Sequence, residues 1–187
     1  MKKILLICMA VLLVFAGCSN KEEPNTIKDG KSLQDVIDAV DLKFKEKYDP
    51  DDEAEYDVKS VPNGVAIDQQ RLSDFFDIAP EDVAEMAGWY SMMILNSHTF
   101  IGIRATDGKI DNVLKGLEKY KTDLANQYEF YNVNGSYNRV LDGEIYQKGD
   151  YAFLIIVGLS SGKGEDITYD FVGDVAMTKA TIDEMFH

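Results

Sequence analysis

The sequence predicts an α+β domain: an antiparallel sheet of about four strands, arranged as two hairpins, packed with a long amphipathic helix and flanking helices. Three observations lead there. Two pairs of strand-like runs are each joined by a short polar link, the stretch between the pairs repeats apolar residues at helical spacing, and amphipathic segments stand before and after the set. A hydrophobic content of 45%, with ten Tyr and nine Phe, is enough to build one core in a chain of 187 residues.

The first eighteen residues form no part of that domain. Lys2 and Lys3 precede the apolar run Ile4 to Phe15, which gives way to small residues, as in a secretory signal. A permanent span needs roughly 20 apolar residues, and this run stops short of that. Ala16-Gly17-Cys18 resembles the lipobox of bacterial lipoproteins, with Phe15 where Leu is usual. The resemblance implies cleavage before Cys18 and a diacylglyceryl group on its sulfur; the competing reading is an ordinary signal with an incidental cysteine. Two or more acyl chains give stable anchoring where one does not. The expected organisation is a lipoprotein signal peptide over 1–17, a lipidated N-terminus and flexible tether over 18–30, and a single extracytoplasmic α+β domain over 31–187. The expected location is the cell membrane, with Cys18 as the lipid attachment site.

Ser32, with Asp35 three residues on, makes a capping box, and Leu33, Val36, Ile37, Val40 and Phe44 trace one stripe of a helix ending near Tyr48. Asp49 to Asp57 is the densest acidic stretch. Its Asp49, Asp51 and Glu53 alternate like the first ligands of a calcium loop, but Ala54 stands where such a loop needs Gly and Ser60 where it needs Glu, so we read a solvated loop. Val61-Pro62-Asn63-Gly64-Val65 is a turn between short extended pieces. Asp68 caps a short helix carrying Leu72, Phe75 and Phe76, and Pro80-Glu81-Asp82-Val83 starts another helical turn.

Trp89 to Leu95 and Thr99 to Ala105 form the first predicted hairpin, linked by Asn96-Ser97-His98, with His98 read as an exposed turn residue. Asp107-Gly108-Lys109 opens the longest helix, whose stripe of Ile110, Val113, Leu114, Leu117, Tyr120, Leu124 and Tyr128 should cover one face of the sheet. Tyr131 to Leu141 reads as irregular, and Asn134-Gly135-Ser136 within it as a turn rather than a glycosylation site. Gly143 to Gln147 and Tyr151 to Val157 form the second hairpin about Lys148-Gly149-Asp150. The later strand is apolar at successive positions, as in a central strand covered on both faces. A final helix over Asp174 to Phe186 would supply the second cover.

Composition limits the chemistry. Cys8 and Cys18 are the only cysteines and lie in the signal and the lipobox, so the domain has no thiol nucleophile, disulfide or thiolate metal site. Only His98 and His187 are available as imidazoles, too few for a histidine metal cluster. Gly158 to Gly164 falls one spacer short of a P-loop and lacks its hydroxyl. No cofactor is implied. The net charge of −14 becomes −16 once Lys2 and Lys3 leave, which argues against nucleic acid as a partner and for repulsion from an anionic membrane surface. With 33 acidic residues, spacing nominates no carboxylate pair for hydrolysis. The pairs Trp89-Tyr90 and Met92-Met93 are candidates for an apolar groove, although alternation should turn one of each toward the core.

The order of parts (lipobox, amphipathic helix, Leu72-x-x-Phe75, Ile78-x-Pro80-Glu81-Asp82-Val83, Met92, Asp107-Gly108-Lys109 before a long helix, Lys148-Gly149-Asp150-Tyr151 before an apolar strand) resembles the bacterial lipoprotein family built on the domain of unknown function numbered 4358. The resemblance runs over roughly Ser32 to Leu159. It implies the fold and the location and transfers no site residues. The resulting expectation is a membrane-anchored, non-catalytic domain that binds an envelope protein or a cell-wall component. The alternatives are a small-solute or divalent-cation receptor, using a pocket or the Asp49–Asp57 loop, and a carboxylate hydrolase of wall polymers.

Overall fold

The computed structural model describes residues 25–48, 64–92, 95–130, 132–161 and 166–187. Cys18, the acidic stretch Asp49 to Asp57, Ser60 to Asn63, Met93 and the Gly162-Lys163-Gly164 part of the glycine-rich loop lie outside the described residues.

The sheet has five antiparallel strands, β1 (Gly64–Ala66), β2 (Val83–Ser91), β3 (Thr99–Ala105), β4 (Glu144–Lys148) and β5 (Tyr151–Ile156), in the order β1-β2-β3-β5-β4. Helices α1 (Leu33–Lys47) and α5 (Phe171–Glu184) cover one face. On the other lie α2 (Gln69–Phe76), α3 (Ile110–Glu129) and α4 (Ser136–Asp142). A small ribbon, β6 (Ser160–Ser161) with β7 (Thr168–Tyr169), stands apart.

The three layers follow from strand alternation. In β5 every residue is buried: Ala152, Leu154 and Ile156 point toward α3, while Tyr151, Phe153 and Ile155 point toward α1 and α5. That is the doubly covered central strand the apolar run predicts. The predicted stripe of α1 is buried at all five positions, Leu33, Val36, Ile37, Val40 and Phe44, and its capping box is formed by Ser32 and Asp35. Asp68 caps α2 by accepting from the Arg71 amide at 2.9 Å.

Several boundaries differ from the sequence reading. β2 begins at Val83 and ends at Ser91, where a strand over Trp89 to Leu95 was expected. Val83 to Gly88 contains Ala, Glu and Gly, poor strand formers, and it is held extended by pairing with the whole of β3 from Val83↔Ala105 to Tyr90↔Thr99. Gly88 has φ +113, and a Cβ there would lie 2.1 Å from the Phe100 carbonyl oxygen, so only glycine fits this close approach. The stretch expected to be irregular contains α4, which starts after the left-handed Asn134-Gly135 turn. α5 starts at Phe171, three residues before the predicted Asp174, because Asp170 caps it by accepting from the Gly173 amide. The piece at Val65 is a fifth strand, β1.

The two ends of the described chain meet. Ile27 bridges Phe186, the Lys28 amide donates to the Met185 carbonyl at 3.0 Å, and the His187 amide donates to the Thr26 carbonyl at 3.1 Å. Part of the stretch read as tether is therefore paired with the C-terminal residues. The Phe186 ring stacks edge-on against Tyr151, at 5.1 Å, and Phe153, so this junction sits at the β4–β5 turn end of the sheet. The opposite end, here called the far end, gathers the close of β2 and β5, the start of β3, the C-termini of α1 and α3, α4 and the N-terminus of α5.

Candidate functional site

At the far end a set of polar side chains is buried among the elements that converge there. The link before β3 supplies Asn96, Ser97 and His98, all buried. The Ser97 hydroxyl donates to the Ser136 carbonyl at 2.8 Å, and the Ser136 hydroxyl donates back to the Leu95 carbonyl at 2.9 Å, stitching α4 to the link. Arg139 of α4 is 5% exposed: its Nε donates to the Gly158 carbonyl at 3.0 Å, its Nη1 to Ser97 Oγ at 3.2 Å, and its guanidinium lies 4.9 Å from the Phe171 ring centre.

The expectation that His98 is an exposed turn residue is wrong. It is 3% exposed and its Nε2 lies 2.6 Å from the same Gly158 carbonyl. A carbonyl only accepts, so Nε2 carries the proton and Nδ1 bears the lone pair; Nδ1 is buried with no hydrogen-bond partner among the described residues. Burial first, and the nearby Arg139 charge second, push the imidazole well below its ordinary value of 6.5, so it is neutral. Gly158 has φ +128, and a Cβ on it would meet Phe171 at 2.5 Å and Asp174 at 2.9 Å. Its carbonyl thus receives two donors through a backbone conformation reserved for glycine.

Asp174 is the second node. It is fully buried and accepts from Lys47 Nζ at 2.7 Å, the Tyr48 hydroxyl at 2.6 Å and the Leu159 amide at 3.3 Å. Lys47 also reaches Asp170 at 3.0 Å. Burial and the hydrogen bond to Asp174 both push the Tyr48 phenol upward, keeping it protonated as a donor. Trp89 stands edge-on to His98 at 6.2 Å, and its indole donates to Asp41. Burial is the main cause that raises the Asp41 carboxyl to about 6.

These groups bind elements to one another and form no reacting constellation. His98 pairs with a backbone carbonyl rather than a carboxylate, and Asp174 is taken by Lys47 and Tyr48. Among the described residues no group of three His, Cys, Asp or Glu is placed to hold a metal ion. The Trp89-Tyr90 pair makes no groove: Tyr90 is buried against α2 and α3, while Trp89 packs on the α1 side. Arg139 and Asp174 were not singled out from the sequence, and only the Asp170 cap carried a local signal.

Among the cavities lined by described residues, two stand out. One, of about 190 Å³, is lined by Asp77, Ala79, Asp82, Asn112, Lys115, Gly116 and Lys119. Its Asp82 carboxylate is already held by Asn112 at 2.8 Å and Lys109 at 3.1 Å. The other is an open groove of about 480 Å³ at the far end, between α4 and the β7–α5 junction. Ile167, Tyr169 and Val172 line it and are 45%, 39% and 66% exposed. Among the described residues no helix is long and apolar enough to cross a membrane.

No curated protein and no solved structure matches the chain. A family model does, over residues 57–157. That span takes in β1 to β5 with α2, α3 and α4, and leaves α1 and α5, the two helices of the opposite face, outside it. Since the match covers more than half of the sequence and the sheet with one complete helical face, the chain belongs to the family described as Domain of unknown function (DUF4358).

Proposed function

We propose that this protein is a lipoprotein of the bacterial cell envelope, anchored to the membrane through acyl chains on Cys18, whose α+β domain stands on the extracytoplasmic side and binds an envelope protein or a cell-wall component. The apolar run Ile4 to Phe15 followed by Ala16-Gly17-Cys18 is the observation that carries the anchoring. Thr26, the first paired residue among those described, lies eight positions after Cys18, so the domain follows the proposed anchor closely in sequence. A binding role is supported by the far end, where charged groups are consumed in joining helices to the sheet while apolar side chains stay exposed.

The anchoring is tested by detergent-phase partitioning and mass analysis of the N-terminal peptide. The wild-type chain should enter the detergent phase with an acylated Cys18, and Cys18→Ser should leave it; an unmodified wild-type Cys18 would refute the anchor. The binding role is tested by melting the Ser19–His187 fragment with divalent cations, wall fragments and small solutes. Ligand at a hundred times its Kd stabilises by about 2.7 kcal/mol, which raises the Tm by several degrees. A calcium shift abolished by Asp51→Asn with Glu53→Gln would replace this reading with a cation receptor, and turnover of purified wall would replace it with a hydrolase.

A further inference from the structure

The geometry points to the far-end groove between α4 and the β7–α5 junction as a docking site for a basic, apolar segment of a partner protein; the inference rests on the binding role above and names its surface and the partner's chemistry. Three apolar side chains, Ile167, Tyr169 and Val172, share this groove while exposed to water, a grouping that marks interaction surfaces more than scattered exposed residues do.

The occupant follows from shape and charge. The groove holds about 480 Å³ but is open, whereas a small solute needs most of its surface enclosed. A polypeptide segment brings its own cover. Among the described residues lining the groove the carboxylates are Asp142 and Asp170, and none is a lysine or arginine. Asp170 is shared with Lys47 at 3.0 Å; Asp142, exposed at the end of α4, makes no ion pair among the described residues. Arg139 lies behind Phe171, buried and directed inward to Gly158 and Ser97, so its charge is not offered to the groove. A segment setting an apolar side chain among Ile167, Tyr169 and Val172 with Lys or Arg toward Asp142 matches both features. A second copy of this chain does not: a symmetric contact through the groove sets the Asp142 and Asp170 carboxylates of both copies together, on chains of net charge −14 that becomes −16 once Lys2 and Lys3 leave. A membrane surface does not either, since the tether joins the domain at the opposite end.

The test is photo-crosslinking of the full-length protein in its own membrane. Val172→p-benzoylphenylalanine is placed in the groove, with the same residue at Phe130, exposed at the far end outside the groove, and at Leu42, exposed on α1. The expected result is a Val172 adduct with a protein whose contacted segment, located by mass spectrometry, carries Lys or Arg beside apolar residues. Adding Asp142→Lys should lower its yield about tenfold. Because Asp142 and Val172 are exposed, an unchanged Tm will verify that the fold is intact. An adduct with lipid or with a second copy, a contacted segment without basic residues, or a yield indifferent to Asp142→Lys overturns the proposal. Adducts at Phe130 or Leu42 with none at Val172 overturn the groove and leave the binding role standing; no protein adduct at any of the three counts against both.

Discussion

Acid should weaken this protein well above the carboxylate range, and His98 is the reason. The buried imidazole is neutral and depressed, while in the unfolded chain it titrates near 6.5. Its contribution to stability is therefore present above that value and lost as pH falls, because unfolding then takes up a proton. Between pH 7.5 and 5.5 the linkage relation gives a loss of up to about 1.4 kcal/mol for a group that stays neutral when folded. Asp41 works in the opposite sense over the same window. Its folded value of about 6 exceeds the ordinary 3.8, so it binds a proton more readily when folded and adds stability as pH falls through 6. Asp41 is only half-buried, and halving the resulting gain of about 0.8 kcal/mol for solvent screening leaves roughly 0.4 kcal/mol. The net expectation is a loss of about 1 kcal/mol, measured by urea unfolding of the Ser19–His187 fragment at the two pH values. Asp35, Asp82, Asp170 and Asp183 are all lowered from 3.8, so their contributions fade only at lower pH and leave this window clear. His98→Gln should be less stable at pH 7.5 by about 1–3 kcal/mol yet lose nothing on acidification, whereas Asp41→Asn should steepen the loss. If His98→Gln keeps the wild-type acid slope, the reasoning fails.

Other consequences are open to measurement. Asp174→Ala removes the acceptor of Lys47, Tyr48 and the Leu159 amide and should cost about 3 kcal/mol in urea unfolding, with Asp174→Asn nearer half of that. Lys47 is partly exposed and regains water in both variants, so a larger loss in Asp174→Asn than in Asp174→Ala would contradict this account. Gly158→Ala forces a Cβ against Phe171 and Asp174 and should lower stability by at least about 2 kcal/mol, a drop visible as a reduced Tm. Gly88→Ala, with a Cβ 2.1 Å from the Phe100 carbonyl oxygen, should do the same while also raising amide exchange along β2 and β3.

Elements whose residues interact within one stripe or one hairpin were legible. α3 repeats its apolar face over its whole length, the box of Ser32 and Asp35 announces α1, and the run from Tyr151 announces the central strand. What the sequence hid is held by distant partners. Val83 to Gly88 is a strand because β3 lies beside it, and α4 is too short to show a periodicity of its own. His98 looks like a turn residue until α4 folds across the link and Gly158 offers its carbonyl, 60 positions later. The far-end cluster joins Lys47 to Asp174 over 127 positions, and no spacing rule reaches that far. The groove depends on the β6–β7 ribbon, whose strands have two residues each and carry no alternation to read.

The clasp of Ile27 with Phe186 has a bearing on how the chain is made. Synthesis delivers residue 27 long before residue 186, so the first helix must wait beside a half-covered sheet until the last one arrives. The segment matched by the family model is complete by then, with its α3 face closed, but the face that carries Phe153 and Ile155 has α1 alone to cover it until α5 is added. A ribosome stall or a protease cut near residue 170 would leave a molecule closed on the α3 side and only partly covered on the α1 side. Quality control would have the apolar side chains left bare beside α1 as its signal that the final helix is missing.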